Sequence, residues 1–151
     1  MSEIEDTIGV LINNCYGGFK ISEKALDLYN KKKSELDSNH KPITENCIDR
    51  DDPILVEIYN ELQKDFNGAN YSNIIVENIP KKYKKCYNIH NYDGQETILI
   101  NLEKYKLDTI KMITSRIDLN SDEKINEINK VLLETLNNNF WDINHLHIVC
   151  H

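Results

Sequence analysis

The residues of this chain best placed to do chemistry lie in one short run, Asn13-Asn14-Cys15-Tyr16-Gly17-Gly18, which closes an apolar stretch that begins at Ile8. An apolar strand that opens into a glycine turn presents free backbone N–H groups, and these can stabilise a thiolate or cradle an anion. Cys15 is therefore the candidate nucleophile, with Asn13, Asn14, Tyr16, Gly17 and Gly18 as candidate binding groups around it. The rest of a nucleophile site is not legible. A phosphatase-like loop needs an arginine six positions after the cysteine, where this chain has Ile21, and Gly-Gly without a following Gly-Lys-Ser/Thr is not a phosphate-binding signature. No histidine or acid can be assigned as a partner for Cys15. The competing reading makes Cys15 a small buried apolar residue, with the two glycines present to let the chain turn.

Three further clusters carry chemistry-bearing groups. Arg50 and Asp51 with Asp52 set a guanidinium beside two carboxylates, suited to a metal or a phosphate, or more simply to a helix cap with a local ion pair. Lys81, Lys82, Lys84 and Lys85 flank Tyr83 in a basic patch that pairs charge with one aromatic, as single-strand nucleic-acid binders do on a larger scale. A lysine-protected edge strand is the alternative there. At the chain end, an extended segment from Asp142 would place His145, His147 and His151 on one face as candidate metal ligands, and Leu146, Ile148 and Cys150 on the other. The same segment can serve as a plain terminal strand.

Elements must be inferred to position these groups. Ser22 reads as the N-cap of a helix that buries Ala25, Leu28 and Tyr29 and ends near Lys31 to Lys33, and Ser38 to Asp52 reads as a long polar loop. Asp52-Pro53 is a strong helix start, followed by Leu55, Ile58, Tyr59, Leu62 and Phe66 on one face and by Asn67-Gly68 as the stop. Asn73 to Ile79 reads as a strand. Asp93-Gly94 predicts a two-residue hairpin that sets Tyr92 opposite Gln95, Ile89 opposite Ile98 and Tyr87 opposite Ile100, with Asp93 and Glu96 as turn and edge residues. Two helices follow, one carrying Leu107, Ile110, Ile113 and Ile117, the other capped near Ser121 and carrying Ile125, Ile128, Leu132 and Leu136. The predicted fold is α+β, a single domain over 1–151 with a mixed or antiparallel sheet of four to five strands and helices packed mainly on one face.

Composition narrows the function classes. A net charge of −7 weighs against general nucleic-acid binding, which needs a positive surface. No apolar run is long enough to cross a bilayer, and four widely spaced cysteines without a Cys-x-x-Cys pair speak for a soluble protein of a reducing, intracellular compartment. Asn, Ile and Lys are abundant while Arg occurs only twice, the codon signature of an AT-rich genome. No motif calls for a cofactor.

Three stretches together, Ile12 to Phe19 with Ser22 and Ala25, Arg50 to Glu57, and Tyr92-Asp93-Gly94-Gln95-Glu96, resemble a family of small uncharacterised proteins from phages, bacteria and large DNA viruses. Its members share an Asn-x-Cys-Tyr-Gly-Gly-Phe-like segment, an Arg-x-Asp-Pro helix start and a Tyr-Asp-Gly hairpin. The likeness spans a core over 8–102 and leaves 103–151 as a helical extension with a His-rich terminal strand. It implies a viral-type protein of the host cytoplasm or virion, with no activity to carry over. The expected function is a binding or homo-oligomerising module with a protein partner or a second copy, and the alternative is a small enzyme using Cys15 in the Gly-Gly turn.

Overall fold

A computed structural model describes residues 6–44 and 47–145, with residues 138–145 traced by backbone alone. The chain is α+β and divides into two compact units, Met1–Ile100 and Asn101–His151. The first holds strand β1 (Thr7–Asn13), helix α1 (Glu23–Leu36), helix α2 (Pro53–Leu62), strand β2 (Ile74–Pro80) and the hairpin strands β3 (Tyr87–Tyr92) and β4 (Gln95–Ile100). The second is a helical pair, α3 (Leu102–Ser115) and α4 (Ser121–His145).

The helices of the first unit begin where capping chemistry directs. Ser22 Oγ accepts the Ala25 N–H at 3.2 Å, and Asp52 Oδ1 accepts the Ile54 N–H at 2.9 Å with Pro53 in the first helical position. Both caps point their helices at one core, built from Leu11, Ile21, Ala25, Tyr29, Leu55, Ile58, Phe66 and Ile74. Val10 and Ile12 on the other face of β1 are buried as well, which accounts for a continuous apolar run where a half-buried strand would alternate. Gly9 is required within β1, because a Cβ there would lie 2.7 Å from the Val76 side chain of β2.

The hairpin register is the one read from Asp93-Gly94: Tyr92 pairs with Gln95, Ile89 with Ile98 and Tyr87 with Ile100. Both turn residues have positive φ, 52° at Asp93 and 93° at Gly94, as a type I′ turn needs. Among the described residues β1 pairs with β2 and β3 with β4, both antiparallel, so the strands make two two-stranded sheets and not the single sheet of four to five strands. The reason lies at the free edge of β1, where the Arg50 backbone and the Arg50 and Glu96 side chains stand in for a strand. Leu11 N–H donates to the Arg50 carbonyl at 2.9 Å, the Arg50 guanidinium donates to the Leu11 carbonyl at 3.2 Å, and Asn13 N–H donates to Glu96 Oε2 at 2.9 Å. Glu96 belongs to β4, so the two sheets are joined by an ion pair instead of a ladder.

In the helical pair the buried face differs from the expected one. Val131 and Thr135 are buried, while Ile125, Leu132 and Leu136 are exposed. One residue is about 100° of helix rotation, so α4 turns the neighbouring stripe inward. Ile113 of α3 is buried as expected, Leu107 is exposed, and Ile117 lies beyond the end of the helix, fully exposed. α4 continues through His145, so the segment expected to be extended from Asp142 begins inside a helix. His147 and His151 lie outside the described residues, and the side chain of His145 is likewise not described. No helix among the described residues is long and apolar enough to cross a membrane.

Candidate functional site

The three distinctive stretches of the sequence meet in one place in the first unit. Its centre is Asn13, the last residue of β1, fully buried. Its amide nitrogen donates to the Cys15 and Gly94 carbonyls, both at 2.8 Å, and its Oδ1 accepts the Asn73 N–H at 2.8 Å and the Cys15 thiol at 3.3 Å. A buried side-chain amide has two donors and one two-lone-pair acceptor to satisfy; here both donors and one lone pair have their own partners, and the single Cys15 S–H is shared between Asn13 Oδ1 and the Tyr71 carbonyl. Asn13 thereby ties its own turn to the β3–β4 turn and to the segment before β2. Asn14, by contrast, is exposed and adds only a backbone bond, donating to the Asn73 carbonyl at 2.8 Å.

Beside Asn13 lies the Arg50–Glu96 pair. The guanidinium reaches both carboxylate oxygens, at 2.9 and 3.1 Å, in the bidentate geometry that arginine is built for. Its carbon sits 3.2 Å from the centre of the Phe19 ring, so the aromatic of the glycine segment closes the other side of the cation. The Glu96 side chain is 5% exposed. A carboxylate at that depth would be costly alone; Arg50 and the Asn13 N–H supply its three partners.

The glycine turn is a place of close backbone contact. A Cβ at Gly17 would lie 1.8 Å from the Tyr71 carbonyl oxygen, and one at Gly94 would lie 2.6 Å from both the Gly18 nitrogen and the Tyr16 oxygen. Gly18 has φ 97° with open space around it. Three backbones therefore pack at distances only glycine permits. Gly17→Ala is expected to lower the unfolding free energy by about 1–3 kcal/mol, the range of an overpacked site, in urea titrations.

Cys15 is half-buried, and its Sγ lies 2.8 Å from the Tyr71 carbonyl and 3.3 Å from Asn13 Oδ1. Both neighbours accept. The sulfur is thus held as a donor, a hydrogen-bonding pin between the turn and Tyr71, and no histidine is among these partners. Among the candidate binding residues, Asn13 and Arg50 are hydrogen-bonded within the site and Gly17 lies against the Tyr71 backbone, while Tyr16 is exposed at the rim, as are Tyr71 and Tyr92.

Asp51 and Asp52 are adjacent, buried and opposite in their acid–base behaviour. Burial raises the Asp51 carboxyl, the neighbouring Asp49 raises it further, and Lys84 and the Tyr87 hydroxyl only partly offset this. Tyr87 is itself raised, by burial first and then by Asp51. Burial would also raise Asp52, but Lys33 at 2.6 Å, the Ile54 N–H and the Tyr29 hydroxyl at 2.9 Å together hold it below its ordinary value. A lowered folded-state value means that Asp52 stabilises the fold above the unfolded carboxylate range, about pH 4, and that this is lost as pH falls through the folded value. Asp52→Asn keeps a capping oxygen and loses the charge. The variant is expected to be less stable than the parent at pH 7, with the gap closing as pH is lowered from about 4, in chemical unfolding at stepped pH.

The lysine patch does not present its aromatic. Residues 81–83 form one 3-10 turn, not an edge strand, and Tyr83 is buried at 5% exposure, so its ring cannot stack on a base. Lys81 pairs with Asp6 at 2.8 Å, Lys82 lies over the Tyr83 ring, and Lys84 acts on Asp51. Among the described residues no group of three or more His, Cys, Asp or Glu side chains is arranged to hold a metal ion.

Phe19 and Tyr71 are site residues to which sequence reading gave no role, and Glu96, read there as an edge residue beside the turn, is instead buried against Arg50. For Glu96 a signal existed: it shares the parity of Ile98 and Ile100, so an acid stood on an apolar face and required a buried cation. Comparison with protein-family models, with curated proteins and with solved structures finds no match to this chain.

Proposed function

We propose that this protein is a non-catalytic binding module that acts by associating with a second copy of itself. The observation that carries the reading is where the polar groups of the distinctive stretches go. Asn13, Cys15, Arg50 and Glu96 satisfy one another and the surrounding backbone, and no buried side-chain polar atom among the described residues lacks a partner. A nucleophilic cysteine needs an adjacent base to activate it, and the partners of Cys15 are instead an amide oxygen and a backbone carbonyl. In the first unit the surface around this network is rich in exposed large side chains, among them Tyr16, Tyr71, Tyr92 and Leu99. The second unit, by itself, exposes Ile125, Leu132, Leu133 and Leu136 on α4. Such residues contribute most when covered by protein. The viral-type setting implied by the resemblance, host cytoplasm or virion, is compatible with a small scaffold of this kind.

Light scattering coupled to size exclusion tests the reading, with a concentration-dependent mass above one chain expected. A strictly monomeric protein across the accessible concentrations would remove it. The alkylation rate of Cys15 across pH separates it from the enzyme alternative: slow reaction in the folded state is expected, and rapid labelling near neutral pH would favour a nucleophile.

A further inference from the structure

Resting on the association reading, we infer that the interface is the outer edge of β3, which pairs antiparallel with the same edge of a second copy to join two hairpins into one four-stranded sheet.

The two-residue turn fixes which backbone groups are spent. Tyr92 and Gln95 flank the turn as a hydrogen-bonded pair, so Asn88, His90 and Tyr92 direct their N–H and C=O groups at β4, and Tyr87, Ile89 and Asn91 direct theirs outward. No backbone hydrogen bond among the described residues reaches those outward groups. β2 presents the other open edge, and it is guarded. Its outward positions are Ile74, Val76, Asn78 and Pro80; Asn67 Oδ1 occupies the Ile74 N–H at 2.9 Å, Pro80 has none, and Glu77 charges the strand. β3 carries no such protection: Tyr-Asn-Ile-His-Asn-Tyr has neither proline, bulge, lysine nor acid.

Charge singles out the same hairpin. In a chain with 28% charged residues, β3 and β4 with six residues each should carry about three charges by composition. They carry one, Glu96, and it is buried against Arg50. At net charge −7, two copies repel wherever acidic surface meets acidic surface. The β3 edge is where they meet without that cost.

The edge is also self-complementary. A two-fold axis at Ile89 pairs Ile89 with its counterpart and Tyr87 with Asn91, each a hydrogen-bonding position, for about six backbone bonds between chains. On the solvent face the same register sets Asn88 opposite His90 of the second copy. This register can be tested by charge. Asn88 and His90 are both exposed, so substituting them spares the core.

Sedimentation velocity over a concentration series should show the parent as a dimer in exchange with monomer. Asn88→Lys with His90→Lys opposes like charges twice across the axis and is expected to weaken dimerisation at least tenfold. Asn88→Glu with His90→Lys places opposite charges at the same two positions and is expected to restore or exceed the parent affinity. If both double variants dimerise like the parent while remaining folded by circular dichroism, the edge proposal fails and association through another surface stands. If the parent itself is monomeric throughout, both readings fail.

Discussion

Glu96→Gln is expected to be among the most damaging single substitutions in this protein, lowering the unfolding free energy by about 3–5 kcal/mol, the cost of leaving a buried ion unpaired. The change is small in volume and removes a charge. Arg50, three-quarters buried by its packing on Phe19 and β1, then faces an amide that can accept only one of its two bonds. The amide nitrogen that replaces the other oxygen brings donors toward a guanidinium that also has only donors. The same atom swap threatens the Asn13 N–H, which loses its acceptor if the new group takes the Oε2 position. Small domains are stable by roughly 5–15 kcal/mol, so a loss of this size is a large part of the total. Urea unfolding followed by tryptophan-independent far-ultraviolet circular dichroism reads it directly.

The second large effect is expected at Asn13→Asp. Shape and volume are conserved, so a packing role alone would predict little change. The hydrogen-bonding pattern predicts the opposite. An acceptor-only carboxylate would meet the Cys15 and Gly94 carbonyl oxygens at 2.8 Å, where the amide now donates to both, inside a fully buried site. The loss is expected to be about 4 kcal/mol at pH 7, from two repelled carbonyls at about 1–3 kcal/mol each together with the buried charge. Acid should relieve part of it by protonating the new carboxyl, so the variant gains stability relative to the parent as pH falls. A variant as stable as the parent at pH 7 would mean that the amide donors are not what holds the two turns together.

These two residues also mark how far the sequence could be read. Local signals were legible because their physics is local. Ser22, Asp52-Pro53 and Asp93-Gly94 each act within a few residues of themselves, and the caps and the hairpin register follow from them. The Arg50–Glu96 bond spans 46 positions, and nothing near Arg50 announces its partner. Strand count likewise carries no lateral order, so the apolar runs suggested one sheet where β1 instead meets β4 through side chains. The α4 face failed for a different reason. The buried stripe pairs Val131 with a polar residue, Thr135, while the adjacent Leu132 and Leu136 are both apolar, so the apolar period points to the neighbouring face. Cys15 was legible as a turn residue and not as a donor, since the Tyr71 carbonyl that it meets comes from 56 positions away.

The central claim is that the distinctive residues of this chain are spent on holding its turns together, leaving function to its surface. A double-mutant cycle on Arg50→Met and Glu96→Leu, read as unfolding free energies, tests it most directly. Each single change strands a buried charge, whereas the double change removes both charges. The account predicts a coupling of about 2 kcal/mol or more, with the double variant no less stable than the worse single one. Additive losses would contradict it, for they would mean that the two side chains act independently and that their meeting is not what fixes the site.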